Sequence, residues 1–325
     1  MATTSWGGSV IGPSQNKDGK YWMFAAEMAQ HCTLGQWTTN SQVVTAVSDT
    51  PEGPFVRQAL AIPPWSHNPE AILTADGTYV IFTLGPGKGL THEKNCTHDG
   101  ETSAVGLGPE QHTEQQQMHS DAGEKDRGDP KGLVNFTVHS APSPHGPWTA
   151  TTMQVYNWNI TWDLQTPGNW NPAPVALPDG SVRVMAHTDW GENGHATPSG
   201  NVGAWAGEAI LEAPSWKGPY KVVGGDEIDH CNKCEEDPFM WKDKRSNWHV
   251  LYHRMYDPAG PLDPNWGKED GSWKQKGGPV PSPGWAGGHA FSRDGLAWSN
   301  WTRCYNTSVF LVDGTTMNFP RRERP

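Results

Sequence analysis

The feature that most constrains this chain is a polar residue next to a proline at the opening of a strand-like run, repeated along the sequence. It occurs as His67-Asn68-Pro69, Trp170-Asn171-Pro172, Glu236-Asp237-Pro238 and, last, Glu323-Arg324-Pro325. Recurrence of one layout with different polar residues marks equivalent strands of a circular repeat.

The neighbourhoods repeat as well. Strand-like runs at 6–11, 21–26, 42–48 and from 53 onward return as 70–73, 79–82, 136–140 and 146–148, then as 173–177, 182–186, 208–212 and 218–220. A fourth copy reads 239–241, 248–252, 288–292 and Trp298. The turns match: Asp18-Gly19, Asp76-Gly77, Asp179-Gly180 and Asp294-Gly295, with Gly53-Pro54-Phe55, Gly146-Pro147-Trp148 and Gly218-Pro219-Tyr220 before the closing strands. Short strands between Gly, Pro and Asp turns, with no sustained helical spacing of apolar residues, predict an all-β chain. Four similar four-strand units in succession predict radial repetition, a β-propeller in a single domain. The blades fall at about 6–60, 67–150, 170–223, 236–301 and 302–325, the fifth incomplete where the sequence stops. A polar insertion at 87–132, poor in apolar residues, reads as a surface excursion.

Composition narrows the function. A formal charge of −11 argues against nucleic acid, which needs a basic face. No apolar run is long enough to span a membrane. Eighteen tryptophans in an acidic chain suit a polar carbohydrate: an indole face packs on the C–H face of a sugar ring while carboxylates bond its hydroxyls. Five sequons, at Asn95, Asn135, Asn159, Asn300 and Asn306, point to an extracellular protein whose leader is missing, since Met1-Ala2-Thr3-Thr4 lacks an apolar core. The five cysteines leave one without an intrachain partner; a local Cys231–Cys234 disulfide, or a longer cross-link, is favoured over a zinc site.

The strand order, with Asn-Pro, Glu-Asp-Pro and Asp-Gly at these places, resembles the five-bladed β-propeller glycosidases: glycoside hydrolase family 43 and the related invertases, levansucrases and arabinanases. The resemblance implies five blades of four antiparallel strands, whose first strands line a central funnel carrying the catalytic acids. It also implies an Asp on blade one, an Asp on blade three and a Glu on blade four. Glu236 stands at the fourth-blade position and is the general acid that the resemblance assigns. Blade one offers Gly7-Gly8-Ser9 instead, and blade three offers Asn171. Glycosidic cleavage ordinarily needs two carboxyl groups, so the second falls to Asp237 or to Glu323. A Glu and an Asp close together with Arg324 near would be driven to different pKa values, as an acid and base pair requires. Asp237 has a second reading as a cap on backbone amides, and Glu323 with Arg324 as a salt bridge between blades.

Candidate substrate contacts are His67, Asn68, Trp170, Asn171 and Arg324 on first strands, and His187, His253 and Glu27 on second strands. His289 reads as a core residue of a third strand. No metal site is read from the residues and no cofactor is required, although the resemblance leaves room for a calcium ion at the propeller centre. The partner expected is a carbohydrate, bound by a monomer. A non-catalytic carbohydrate-binding propeller is the alternative, favoured by the missing first-blade acid. An interaction scaffold is disfavoured, because it has no need of clustered acids that cost desolvation free energy.

Overall fold

The computed structural model describes residues 4–16, 18–85, 87, 93–96, 134–156, 171–189, 206–224, 235–254, 285–299, 302–306, 308–311 and 313–318. Apart from one short helix, Trp37–Asn40, and two 3-10 turns beside it, the regular structure of these residues is β. The expected all-β class holds.

Strands β1 (Ser5–Ile11), β2 (Tyr21–Met28), β3 (Ser41–Ser48) and β4 (Val56–Ile62) form one four-stranded sheet in chain order. The second copy supplies β5 (His67–Leu73), β6 (Tyr79–Leu84), β7 (Val134–Ala141) and β8 (Thr149–Tyr156), and the third β9 (Ala173–Ala176), β10 (Val182–Asp189), β11 (Ala206–Ala213) and β12 (Tyr220–Gly224). These two copies run as one eight-stranded sheet, because β12 pairs in parallel with β8 through Tyr220 opposite Val155 and Lys221 opposite Tyr156. The third sheet, built by the fourth copy, comprises β13 (Glu235–Lys242), β14 (Trp248–Arg254), β15 (Trp285–Ser292) and β16 (Thr302–Asn306). A hairpin of β17 (Ser308–Phe310) and β18 (Thr316–Asn318) follows. These are four-stranded antiparallel meanders of the propeller-blade type.

The fourth copy departs from its expected end. Trp298 makes only an isolated bridge to Ser292, and the closing strand is 302–306, which the sequence assigned to a fifth copy. The cause is local. Asp294 accepts from the amides of Leu296 and Ala297, and Ser299 exchanges bonds with the Phe291 backbone, so the chain runs beside β15 before β16 begins.

By contact density the chain divides into two compact units: Met1–Ile160 with Leu164–Val184 and Leu211–Val222, and Thr161–Asp163 with Met185–Ile210 and Val223–Pro325. In the first, Ile11, Trp22, Phe24, Val43, Ile62, Tyr79 and Ile81 form a buried cluster between the first two blades, with Trp148 edge-on to Phe24 at 5.8 Å between ring centroids. Phe82, Phe136 and Tyr220 form another, and the Tyr220 hydroxyl donates to the Trp216 carbonyl at 2.9 Å. In the second unit Trp241 stacks on His249, whose Nδ1 lies 2.9 Å from His289 Nε2.

Three of the Asp-Gly turns, those of Gly77, Gly180 and Gly314, share one geometry. Gly77, Gly180 and Gly314 take φ of +83°, +90° and +83° and donate their amides to Thr74, Leu177 and Leu311. The Asp before each accepts the amide two residues on, at 3.1, 3.0 and 2.9 Å. In the fourth blade Ser246 occupies the glycine position at φ +69°, where an L side chain is strained. Ser246→Gly is therefore expected to stabilise the chain by about 0.5 kcal/mol, strain relief exceeding the unfolded-state entropy that glycine adds. A urea unfolding curve for the variant checks this, and a destabilisation would sink it.

Carboxyls in the turns make stability acid-sensitive. Burial raises the Asp243 pKa, but hydrogen bonds from Asn247, His249 and Arg245 outweigh it and pull the group down to about 2. Bonds from Thr74, Leu296 and Thr315 respectively hold Asp76, Asp294 and Asp313 below the ordinary Asp value. Folded carboxyls with depressed pKa bind protons less readily than the unfolded chain, so their contribution is present above about pH 4 and lost as pH falls towards 2. Burial, and then His249, lowers the His289 pKa. Below about pH 6.5 the unfolded state therefore takes up that proton first. A melting temperature that is level above pH 7, declines below about 6.5 and drops further below 4 is expected; a flat profile from pH 7 to 3 would contradict it.

Candidate functional site

The left-handed backbone region is open to glycine and, among other residues, most readily to Asn and Asp. Gly7, Asn68, Asn171 and Asp237 take φ of +58°, +46°, +32° and +52°. Each stands at the opening of a copy's first strand, and the ladders break there: between Trp6 and Gly8, between His67 and Glu70, and between Glu236 and Phe239. The repeated motif is thus a left-handed bulge that re-aims the chain at the inner edge of each sheet. It gives a backbone reason for the residue types, Asp237 included. It also explains blade one, where the resemblance expected an acid: a Cβ on Gly8, at φ +143°, would overlap the Phe24 carbonyl oxygen.

In the first unit the bulges carry a buried polar row. Asn68 Nδ2 donates to Asn171 Oδ1 at 2.7 Å, and both side chains are buried. The Ala71 amide donates to Ser9 Oγ at 2.6 Å, joining β5 to β1. His67 is buried with Nδ1 2.8 Å from Ser41 Oγ, and its ring lies 5.2 Å from that of Trp37, which meets Trp65 edge-on at 5.8 Å. Trp37 and Trp65 are half-buried. Gly85 makes room for Trp65, since a Cβ there would run into the indole. Beside the row stands Glu70, only 5% exposed, a carboxylate held within the strand layer.

The structure brings Asn68 and Asn171 together beside His67. Glu27 stands apart from them. Its carboxylate accepts two bonds from Arg57, at 2.9 and 3.0 Å, and one from Gln42 at 2.9 Å, which engages it on the first blade. In the second unit Asp237 is 3% exposed, and the Glu236 backbone pairs with that of His253. The side chains of Glu236, His187 and His253 lie outside the described residues, as do Trp170, Glu323, Arg324 and both Cys231 and Cys234. Among the described residues no three His, Cys, Asp or Glu side chains converge as a metal site, and no helix is long and apolar enough to cross a membrane. The longer cross-link that was the alternative to Cys231–Cys234 exists: Cys32 is bonded to Cys96, and Cys304 is a free, exposed thiol.

No family model matches the sequence, and no curated protein does. Solved structures do. An endo-1,4-beta-xylanase from Bacteroides thetaiotaomicron matches at 14% identity and a TM-score of 0.43 over 78% of this chain and 67% of the xylanase. A family 117 glycoside hydrolase from Zobellia galactanivorans matches at 12% identity and 0.47 over 91% and 68%. A GH43 protein from Bacillus licheniformis matches at 10% identity and 0.43 over 77% of this chain and 37% of its own length. These neighbours are glycoside hydrolases.

Sequence reasoning missed Glu70, Trp37 and Trp65. Glu70 had a signal, as the acid directly following a repeated proline, where the other copies have Ala173 and Phe239. The tryptophans had none, because the meeting of Trp65 with Trp37, and of Trp37 with His67, is made by tertiary packing.

Asn171 tests the bulge. Asn171→Ala combines a left-handed penalty of about 1 kcal/mol with the loss of the Asn68 bond, for about 2–3 kcal/mol in all. Asn171→Gly removes the bond without the strain and should cost about 1 kcal/mol. Equal losses in denaturant unfolding would refute the conformational requirement.

Proposed function

We propose that the chain is a secreted glycoside hydrolase acting on plant or algal oligosaccharide or polysaccharide. Glu236 is the general acid and Asp237 or Glu323 the second carboxylate. The observation that carries this reading is the buried polar row of the inner strands, with two half-buried indoles beside it. A buried carboxylate costs several kcal/mol of desolvation unless it is bonded. Glu70 and Asp237 are such carboxylates, 5% and 3% exposed, and both are engaged by neighbouring groups. Trp37 and Trp65 offer faces for the C–H side of a sugar ring, and His67 stands beside Trp37 for its hydroxyls. Proton donation to the leaving oxygen falls to Glu236, and the distance to its partner carboxyl decides between retention and inversion.

An extracellular setting is supported by the Cys32–Cys96 disulfide, which fits an oxidising compartment, and by exposed Asn95 and Asn306 at two of the five sequons. A second reading, a carbohydrate-binding module without turnover, is favoured by the amide-to-amide bond of Asn68 and Asn171, where the resemblance expected an acid on blade three.

Glu236→Gln separates the two. In a hydrolase it is expected to lower turnover of a cleaved oligosaccharide by about 100-fold or more while leaving the melting temperature and binding in place. Unchanged turnover would remove Glu236 from the role. A wild-type chain that binds oligosaccharides but releases no reducing ends over long incubation would establish the binding module.

A further inference from the structure

A cleft of about 450 Å³ on the first unit lies away from the inner strands, lined among others by Glu27, Gln30, His31, Gln42, Pro63 and Pro64. Its volume is within the range of ligand sites. It is distinct from the His67 row because the two lie on opposite faces of β3. Successive strand residues point to opposite sides; Ser41 reaches His67, and Gln42 reaches Glu27.

The rim is built under strain. Gln30 and His31 are consecutive non-glycine residues at φ of +57° and +58°, a costly arrangement for L side chains. It is clamped from both sides. The adjoining Cys32 is bonded to Cys96, and the fully buried Asn40 donates to the carbonyls of Ala29 and Lys94 while accepting from the Lys94 amide. Gln30 and His31 are exposed, and among the described residues neither side chain makes a hydrogen bond or ion pair. The clamp thus holds a strained pair whose side chains return nothing to the fold.

We infer that this cleft is a second saccharide site, one that takes a neutral, hydroxyl-rich ring. The inference rests on the carbohydrate reading given above. Two carboxamides, an imidazole and the carboxylates of Glu27 and Glu93 supply donors and acceptors over a floor of Leu60, Pro63 and Pro64, and Leu60 is 49% exposed. Arg57 offsets only one of the two acids, so the cleft disfavours anions, while the prolines and leucine match the C–H face of a sugar.

The test uses glycine, which is at ease at left-handed φ. The double variant Gln30→Gly, His31→Gly keeps the backbone path and deletes the side chains, so its melting temperature should equal or exceed that of the parent. The full chain is titrated by calorimetry with neutral tri- to pentasaccharides from plant and algal polysaccharides, and hydrolysis is followed in parallel. The parent should bind two saccharides. The variant should retain one, with the other weakened at least tenfold, and its hydrolysis of the shortest cleaved substrate should not change. Identical titrations for parent and variant overturn the second site and leave the proposed function standing. A variant-sensitive site that takes only sulfated or uronic-acid saccharides overturns the neutral-ligand assignment. A parent that neither binds nor cleaves any of the panel overturns both readings.

Discussion

The structure depends on one backbone constraint, the left-handed residue at the opening of each inner strand. A strand that starts with such a bulge turns its first side chains away from the ladder they would otherwise join. Asn68 and Asn171 then meet through a 2.7 Å bond, and Ser9 takes the amide of Ala71, so three successive inner strands are tied at their openings. The residue types follow from the conformation. Where the backbone is packed hardest, at Gly8, only glycine serves; where there is room, Asn or Asp brings a polar group with it. The polar row that invites a carbohydrate reading is in part a by-product of how each blade begins.

This accounts for what the sequence made legible. Prolines, Asp-Gly turns and Gly-Pro-aromatic triplets are local solutions to local backbone problems, and they announce themselves in order along the chain. Gly53, Gly146 and Gly218 show why: each takes φ between +77° and +86°, and a Cβ would press on the amide two residues ahead. Strand order up to the sheet of the fourth copy could therefore be read directly. The end of that sheet could not, because the detour at Asp294–Ser299 depends on side chains of Asp294 and Ser299 bonding backbone in ways many loops could imitate.

The candidate site was legible only where it coincides with the repeat. His67, Asn68 and Asn171 were found because they sit beside repeated prolines. Trp37 and Trp65 belong to no repeat; Trp37, at the start of the helix Trp37–Asn40, packs on His67, and Trp65 packs on Trp37. Glu27 was placed correctly on its strand, yet its bonds to Arg57 and Gln42 come from β4 and β3, whose register a sequence does not print. A position in a repeat identifies a strand; partners across the sheet decide what a side chain is for.

The parallel pairing of β8 with β12 has a consequence for synthesis. Blade two cannot complete the outer side of its last strand until Tyr220 and Lys221 have left the ribosome, well after Val155 and Tyr156. At about 5–20 residues per second this leaves an unpaired edge waiting on the order of ten seconds. Nascent chains carry such an edge as an invitation to mispair until β12 arrives to cover it.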